Sequence, residues 1–591
     1  MAQDGDDTEA AAAATPEIVQ SISNTRLHLI IVGLWLCLFI SAMDTTIITT
    51  ALIKISSSFH ALDQGAWLVT AYLLTYNSFL MISAKLSDVL GLKTTLLACN
   101  VIFLVFSLAC GGAKSMTQLI VFRAFQGIGG SGLYSLTFVA IMKLITPEKI
   151  GFYSGVISSV FAFANLLGPI LGGLIADRTS WRVIFWINAP VVGISFALLF
   201  FAMPALKDGK SIRDRLRGFD GFGAILSVCW PVPLLFALQE AGVQFEWKSG
   251  VIIGTLITGL ALLLLFGLYE AIISNKAKID AMFPAKFATN PALALQLLSM
   301  LLLGMPTYVV FIQLPQRFQG VNFTSAERAG ILLLPVTLLT PVGAMLSGAL
   351  FGKKILGKAV ATEYLLLLAM VFISIGIGLL SSLPVDSDFS SATYGYEIII
   401  GFGIGFASPP YFPLLNTCVE EKDVAIGIGI MNMLRTLGGA IAVAICSALH
   451  HSVLHDDLKG FLDPEQIAAV EKSAAFIAQL PEQNRDMLGR TFGKSYNRQF
   501  QVTLAFSLLS VLVVVALIIV RKKKGIFGMM PVRREENEFM KKKAPVQERD
   551  KPENEAMVKN LSVHEPISVG GEATEISAIP PTRGDVKNLK I

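Results

Sequence analysis

The sequence predicts an all-α polytopic membrane protein with fourteen transmembrane helices. Of its 591 residues, 53% are hydrophobic and only 15% are charged, and the mean hydropathy is +0.64. A soluble chain of this length would carry about 25% charged residues and divide into several domains. Here the apolar residues instead recur in stretches about as long as a bilayer is thick. The net charge is only +4, so no bulk basic character points to nucleic acid.

The predicted spans fall into a six, two, six pattern. They cover residues 28–52, 66–84, 93–112, 117–142, 152–176, 183–204, 220–240, 250–273, 291–314, 327–351, 360–382, 393–415, 424–448 and 501–520. We therefore divide the chain into a six-helix bundle at 28–204, a basic loop with two inserted helices at 205–290, and a second six-helix bundle at 291–520. Such a pair of six-span repeats, with a site between them at the bilayer midplane, is typical of transporters.

The tails and loops predict an orientation. Short loops on the side of the N-terminus hold sixteen Lys and Arg residues, against six in the short loops opposite, and the last span ends on Arg521-Lys522-Lys523-Lys524. Both termini are therefore expected in the cytoplasm. The acidic, alanine-rich segment 1–27 and the polar segment 521–591 are predicted to be disordered cytoplasmic tails. Asn322 begins a candidate glycosylation sequon in an outside loop.

The long outside loop predicted at 449–500 contains His450, His451, His455, Asp456 and Asp457. Such a cluster can bind metal, but a solvated loop with an amphipathic helix near 464–480 is the favoured interpretation. The six cysteines occur singly, in or at the edges of apolar stretches, without the paired spacing of a metal site or a disulfide framework. No metal is expected.

Three charges lie deep within predicted spans: Asp44, Arg123 and Arg435. A charge in hydrocarbon costs at least a few kcal/mol unless it finds a partner or water. From about 1.5 Å of rise per residue, Asp44 in span 1 and Arg123 in span 4 both lie in the outer third of the bilayer, where they can pair. We favour a switchable, proton-coupling pair over a permanent salt bridge. Arg435 lies near the midplane, either in a cavity or as a bridge between helices.

Other polar and small residues suggest moving parts. Asp88 and Gly91, in the loop between spans 2 and 3, are interpreted as a latch and a tight turn. Gly127 follows Gln126 among the small residues of span 4, and Gly168-Pro169 with Gly172 and Gly173 predicts a bend in span 5 that seats another helix. No ATP-binding loop is found, because the similar segment 489–495 is one residue too short. Transport is therefore expected to be driven by an ion gradient.

Several of these motifs resemble those of the major facilitator superfamily, in the same order and topology. Met43-Asp44-Thr45-Thr46 resembles the first-span motif of its fourteen-span drug:proton antiporter family, and residues 84–93 resemble its cytoplasmic loop signature, with departures at Ala84 and Leu92. Further similarities lie at Arg123 with Gln126-Gly127, at Gly168-Pro169 with Gly172-Gly173, at Phe185-Trp186-Ile187-Asn188 and at Asp220-Gly221-Phe222-Gly223. The chain looks most similar to fungal toxin and multidrug efflux pumps.

The resemblance implies a plasma-membrane exporter of small amphipathic organic molecules, such as toxins, secondary metabolites or drugs, in exchange for protons. It is not an enzyme and needs no cofactor beyond the proton gradient. The substrate-cavity candidates are Gln126, Asn165, Gln296, Asn416, Asn432 and Arg435. Two alternatives stay open: a vacuolar transporter of basic amino acids or siderophores, and a non-transporting receptor or scaffold. Partners are the small-molecule substrate, protons and the lipid bilayer; a monomer is expected, although the sequence leaves the oligomeric state open.

Overall fold

The computed structural model describes residues 23–528 apart from short gaps. The gaps are residues 62–63, 66, 146, 206–211, 242–244, 275–279, 325, 352–353, 356–357, 387 and 459–481. Within the described residues the chain is built from α-helices, and the sheet is a single antiparallel ladder of two-residue strands, β1 (Lys354–Ile355) and β2 (Lys358–Ala359). The all-α class is therefore confirmed.

The helices follow the predicted spans closely. The first six spans correspond to α1 (Asn24–Ser58), α2 (Trp67–Leu90), α3 (Leu92–Gly111), α4 (Met116–Leu144), α5 (Pro147–Arg178), α6 (Arg182–Trp186) and α7 (Asn188–Ala202). The segment predicted to hold the inserted helices contains α8 (Ile212–Arg217), α9 (Gly221–Cys229), α10 (Pro231–Glu240) and α11 (Gly250–Ile273).

The remaining helices cover the last six predicted spans. They are α12 (Lys286–Thr289), α13 (Pro291–Gly320), α14 (Ala326–Leu332), α15 (Leu334–Leu350), α16 (Thr362–Leu380), α17 (Ala392–Ala407), α18 (Tyr411–Asn416), α19 (Glu421–Leu458) and α20 (Glu482–Lys523). By length and composition, thirteen segments of the described chain are apolar enough to cross a membrane. The 32-residue helix α5, which lies over the predicted fifth span, is compatible with a total of fourteen.

The predicted loop 449–500 differs from the structure. Helix α19 continues to Leu458 and α20 begins at Glu482, so much of the predicted loop is helical. A helix need not end where the hydrocarbon ends, because its backbone hydrogen bonds are satisfied internally on both sides of the boundary. The amphipathic helix predicted near 464–480 lies outside the described residues.

The helices pack in a way that brings the two predicted bundles together. Helix α1 packs against α5 and α7, and α4 against α2 and α3; later in the chain, α13 packs against α19 and α20, and α15 and α16 against α17. Two further pairs, α5 with α15 and α2 with α19, join the two predicted bundles. At Gly155 of α5 a Cβ atom would lie 2.8 Å from the backbone nitrogen of Met345. The division into two six-helix bundles stays a prediction.

A buried ion pair closes the end of α20. Arg521 Nε donates to Glu363 Oε1 of α16 over 2.6 Å, and both side chains are at most 1% exposed. The sequence suggests that Arg521 is an anchor at the inner membrane surface, but the structure buries it, whereas Lys522 and Lys523 are exposed. Hydropathy alone does not reveal that a carboxylate on another helix faces Arg521.

Replacing Glu363 by Gln is expected to destabilise the protein by about 3–5 kcal/mol, because it leaves Arg521 buried without its counter-charge. Thermal unfolding of the detergent-purified full chain measures this change. Glu420→Gln is the matched control, since Glu420 is 49% exposed and lies 3.7 Å from Lys286; that variant should lose less than about 1 kcal/mol. Equal melting temperatures for the two variants would contradict the role of Glu363 as the buried counter-charge of Arg521.

Candidate functional site

Helix α4 carries a buried arginine among small residues. The helix is capped by Ser115, whose hydroxyl accepts a hydrogen bond from the backbone N–H of Gln118 over 3.2 Å. A Cβ atom at Gly129 would lie 2.6 Å from the Phe103 backbone nitrogen of α3, and one at Gly127 would overlap the carbonyl oxygen of Tyr72 in α2. The glycines therefore let α2 and α3 approach α4 closely, which encloses Arg123.

Arg123 forms an ion pair with Asp44 of α1. Its Nη1 atom contacts Asp44 Oδ2 directly, and both side chains are only 1% exposed. This is the contact that the similar depths of the two residues in their spans suggest. Its role in proton coupling stays a prediction.

Two amides complete the coordination of the Asp44 carboxylate. Gln126 accepts from Arg123 Nη1 over 2.8 Å and donates from Nε2 to Asp44 Oδ1 over 3.0 Å. Asn188, the first residue of α7, donates to the same oxygen over 3.3 Å and to Ser107 Oγ over 2.9 Å. Asp44 thus connects to side chains on two other helices, α4 and α7. Gln126 is a cavity candidate by sequence, and the structure places it within this cluster.

The rest of the Arg123 guanidinium is enclosed by other groups. Its Nε donates to the Leu68 carbonyl oxygen over 3.1 Å, and its carbon lies 4.2 Å from the ring centre of Tyr72 and 6.0 Å from that of Phe185. Such cation–π contacts are strongest where water is excluded. We call Asp44, Arg123, Gln126, Asn188 and Tyr72 the ion-pair cluster.

The ion-pair cluster contains two residues that sequence reasoning did not select as site residues. Asn188 belongs to the Phe185–Asn188 motif, whose resemblance to a family motif could have identified it as a site residue. Its contact with Asp44, however, depends on how α7 is rotated about its axis. No sequence feature identifies Tyr72, because a tyrosine in an apolar span is most simply a core residue.

The predicted latch lies at the junction of α2 and α3, where the structure replaces the predicted loop by a single residue: Asp88 belongs to the last turn of α2, and Gly91 alone separates the two helices. Asp88 Oδ1 pairs with Lys143 Nζ of α4 over 3.0 Å, and its backbone oxygen accepts from Arg215 of α8 over 3.3 Å. Gly91 has a φ of 91°, a conformation that favours glycine, and makes the sharp turn into α3. The Asp88 and Lys143 side chains are 22% and 28% exposed, so this pair is a surface contact whose switching role stays a prediction.

The span-5 motif meets α1. A Cβ atom at Gly168 would overlap the Thr46 hydroxyl and lie 3.3 Å from the Ile47 backbone nitrogen. The Thr46 hydroxyl itself donates to the Ala164 carbonyl oxygen over 3.0 Å, which ties α1 to α5. Gly172 is buried. The surroundings of Pro169 and Gly173 of this motif lie outside what the structure describes, as does the side chain of the cavity candidate Asn165 on the same helix.

The cavity candidates of the second predicted bundle lie on α13, α18 and α19. Gln296 is fully buried and donates to the Tyr411 carbonyl oxygen over 2.8 Å, while its buried Oε1 has no hydrogen-bond partner among the described residues. The same holds, within the described part of the chain, for the buried atoms Asn432 Nδ2, Asn416 Oδ1 and Arg435 Nε. Buried polar groups without partners are costly, which makes them candidates for contact with a ligand.

Aromatic side chains extend from the ion-pair cluster along α2 and α4. Tyr72 stacks on Tyr76 at 5.6 Å, and Tyr134 lies 6.0 Å from Tyr76. One turn along α4, Phe138 stacks at 5.6 Å on Phe412 of α18. The rings of α2, α4 and α18 therefore join the two predicted bundles, an arrangement that sequence pattern alone did not indicate.

Two further predicted features are on the periphery. Asn322 lies between α13 and α14 and is half-buried, and Thr324 of the same sequon donates to the Phe318 carbonyl oxygen over 2.9 Å. Glycosylation of Asn322 stays a prediction.

His450 belongs to the predicted His/Asp cluster. It contacts Ser495 Oγ at 2.9 Å and stacks on Phe492, whereas the side chains of His451 and His455 lie outside the described residues.

Comparisons with known proteins agree with this architecture. A family model described as Major Facilitator Superfamily matches residues 34–443. MFS-type transporter FPY5 of Fusarium mangiferae is 38% identical over 83% of this chain and 84% of its own length. Efflux pump dotC of Dothistroma septosporum is 32% identical over 73% of this chain and 72% of its own, and efflux pump aflT of Aspergillus parasiticus is 29% identical over 84% and 96%.

Among solved structures, the chain is similar to a bacterial homologue of the human lysosomal transporter Spinster in an inward-facing, unoccupied conformation. The TM-score is 0.50 at 14% sequence identity, over 85% of this chain and 98% of that one. At this identity the similarity concerns the fold.

Proposed function

The chain belongs to the Major Facilitator Superfamily of membrane transporters, which are not enzymes, and we propose that it exports small amphipathic organic molecules in exchange for protons. The superfamily assignment rests on the family match and on the relative that is 38% identical over most of both chains. The proposed direction is supported by relatives that are named efflux pumps. Toxins, secondary metabolites and drugs are the proposed cargo.

The ion-pair cluster is the observation that carries the coupling proposal. In the structure the Asp44 carboxylate accepts hydrogen bonds from Arg123, Gln126 and Asn188. Protonation of Asp44 removes the negative charge that compensates Arg123, while Arg123 keeps its contacts with Leu68 and Tyr72. The attraction between α1 and α4 therefore falls when a proton binds, and this change can bias the rocking of the two predicted bundles.

The cargo path proposed here runs between the predicted bundles. The unpartnered polar atoms of Gln296, Asn432 and Arg435 and the rings of Tyr76 and Tyr134 offer both polar and apolar contacts. Such a mixture suits an amphipathic molecule. A transporter of basic amino acids has less support, because the one deep carboxylate selected from the sequence, Asp44, is already paired with Arg123.

The proposed location is the plasma membrane with both termini in the cytoplasm, and the vacuolar membrane is the alternative. The proposal for the termini follows from the excess of basic residues in one set of loops. Cargo then enters the path from the cytosol or the inner leaflet and leaves on the opposite side.

Transport by the purified full chain in proteoliposomes tests the function. Three pyrene probes of similar size serve as cargo: 1-pyrenesulfonate, neutral 1-pyrenesulfonamide and a cationic pyrenylmethyl-trimethylammonium. With an acidic lumen, we expect at least one probe to accumulate inside while lumenal protons leave, and a protonophore to abolish the accumulation. Empty liposomes are the control. Proton flux that no probe alters, together with no accumulation, would contradict the proposed function.

A further inference from the structure

Arg435 differs from the arginines that are buried within the helices. Arg123 pairs with Asp44, Arg521 pairs with Glu363, and Arg317 Nη2 donates to the Pro384 carbonyl oxygen over 2.6 Å. Within the part of the chain that the structure describes, Arg435 has no ion pair or hydrogen bond of its side chain; its Nε atom is buried, and the residue as a whole is partly exposed. A charge without a partner in a membrane-spanning helix is costly, so this partly accessible guanidinium favours a partner that is not part of this chain.

Helix α19 packs closely against α13 at Arg435. A Cβ atom at Gly304 of α13 would lie 2.8 Å from the Arg435 carbonyl carbon, and one at Gly438 would lie 2.9 Å from that of Leu301. One turn after Arg435, a Cβ atom at Gly439 would lie 2.8 Å from Tyr308 Cβ, so Tyr308 of α13 packs beside this part of α19.

Aromatic rings of the first predicted bundle form a group around Tyr134 of α4. The Tyr134 ring faces Tyr76 of α2 and Phe161 of α5 at 6.0 and 6.3 Å. In the proposed path these rings belong to the first predicted bundle, and Arg435 belongs to the second. A planar cargo can stack on the rings while its polar end reaches the guanidinium.

The polar side chains that the structure places on the neighbouring turns are neutral. Asn432 lies one turn earlier on α19, and its Nδ2 donor has no hydrogen-bond partner among the described residues. Gln296 of α13 contacts Met431 Sδ, also one turn earlier, over 3.7 Å and presents an Oε1 that is likewise unpaired. Tyr308, which packs at Gly439, brings a phenol and no carboxylate. An unpaired cation beside an amide donor matches an anion, because guanidinium binds oxyanions through charge-assisted hydrogen bonds.

We infer that Arg435 forms an anion subsite, and that the preferred cargo is an aromatic amphipathic molecule carrying a negatively charged oxygen group such as a carboxylate, sulfonate or enolate. This inference rests on the proposed function, since it names the substrate class of the same path. It adds that a cationic aromatic compound is disfavoured, because its charge and that of Arg435 repel each other.

The test uses the pyrene probes with wild type, Arg435→Gln and Arg435→Lys. We expect wild type to transport 1-pyrenesulfonate at least about tenfold better than the sulfonamide, the change expected from one charge-assisted hydrogen bond. Arg435→Gln should reduce this ratio to near one, measured as the sulfonate rate divided by the sulfonamide rate of the same variant. Arg435→Lys should restore part of the ratio, because it keeps the charge but not the planar fork. Arg490→Gln, at an exposed position of α20, is the matched control.

Equilibrium binding separates the two levels of the proposal. Thermal stabilisation of the detergent-purified protein by each probe reports the subsite even if transport fails. Transport of all three probes at equal rates, unchanged in Arg435→Gln, would overturn the anion subsite and leave the export function in place. Sulfonate-selective stabilisation lost in Arg435→Gln, without any proton-driven flux, would support the subsite and contradict the proposed function. Absence of sulfonate-selective stabilisation and of selective flux in wild type overturns the subsite.

Discussion

Asp44→Asn is expected to abolish proton-driven export and to destabilise the protein by about 3–5 kcal/mol. The substitution removes the carboxylate charge but leaves the Arg123 guanidinium buried at 1% exposure, without the acid that pairs with it among the described residues. A buried charge that has lost its partner costs this amount, because the attraction of a counter-charge no longer offsets its desolvation penalty. Proton-driven probe accumulation in proteoliposomes and thermal unfolding in detergent measure the two effects.

Removing both charges distinguishes a switch from a permanent salt bridge. In Asp44→Asn combined with Arg123→Gln, no charge is left uncompensated, so stability should return to near the wild-type value. A structural salt bridge predicts that proton-driven export returns together with stability. The proton-coupling hypothesis predicts that stability returns while accumulation against a gradient does not, because no group at this position binds and releases a proton.

The matched control is Asp457→Asn, which makes the same change in an exposed pair. Asp457 lies 3.2 Å from Lys494, and the two side chains are 36% and 61% exposed, so water screens the interaction. This variant should keep wild-type accumulation and lose less than about 1 kcal/mol of stability. Full proton-driven export by the double variant would show that the ion pair is structural only.

The ion-pair cluster shows which part of a membrane site can be predicted from sequence. The depth of a residue follows from helix rise, so the similar depths of Asp44 and Arg123 are predictable from their positions along the chain. The depth of a residue does not specify how its helix is rotated about its axis, so the contacts of Asn188 and Tyr72 become visible only in the packed helices. Resemblance to known motifs selects Gln126 but does not specify that it bridges both members of the pair.

Arg435 and Arg521 illustrate the same limit in opposite directions. The sequence places Arg435 near the midplane but leaves its role open between a cavity and a helix bridge; the structure provides no polar partner among the described residues. The sequence places Arg521 at the inner surface, yet Glu363 on α16 faces it in the interior. Whether a basic residue is paired depends on which carboxylate an adjacent helix presents, and that contact is tertiary.

Gly168→Leu is expected to eliminate export, because α1 and α5 meet where Gly168 has no side chain. An added Cβ atom would overlap the Thr46 hydroxyl, lie 2.9 Å from Thr46 Cβ and lie 3.3 Å from the Ile47 backbone nitrogen. The backbone of α1 cannot move aside as a flexible side chain can, and Thr46 would also lose its hydrogen bond to Ala164. Overpacking of this kind typically costs about 1–3 kcal/mol, and more where backbone is displaced.

A graded pair of substitutions makes this prediction specific to the contact. Gly168→Ala should reduce probe accumulation and Gly168→Leu should abolish it, because the overlap with α1 grows with side-chain size. Gly193→Ala and Gly193→Leu in α7 are matched controls, since a Cβ atom at Gly193 meets nothing within 4 Å. Both control variants should retain transport.

Helix α1 also carries Asp44, half a turn from Thr46. A shift of α1 at Thr46 therefore displaces the Asp44 carboxylate, so the Gly168 variants should lose proton-driven accumulation before they lose probe binding. Wild-type accumulation by Gly168→Leu would show that close packing of α1 on α5 is not required.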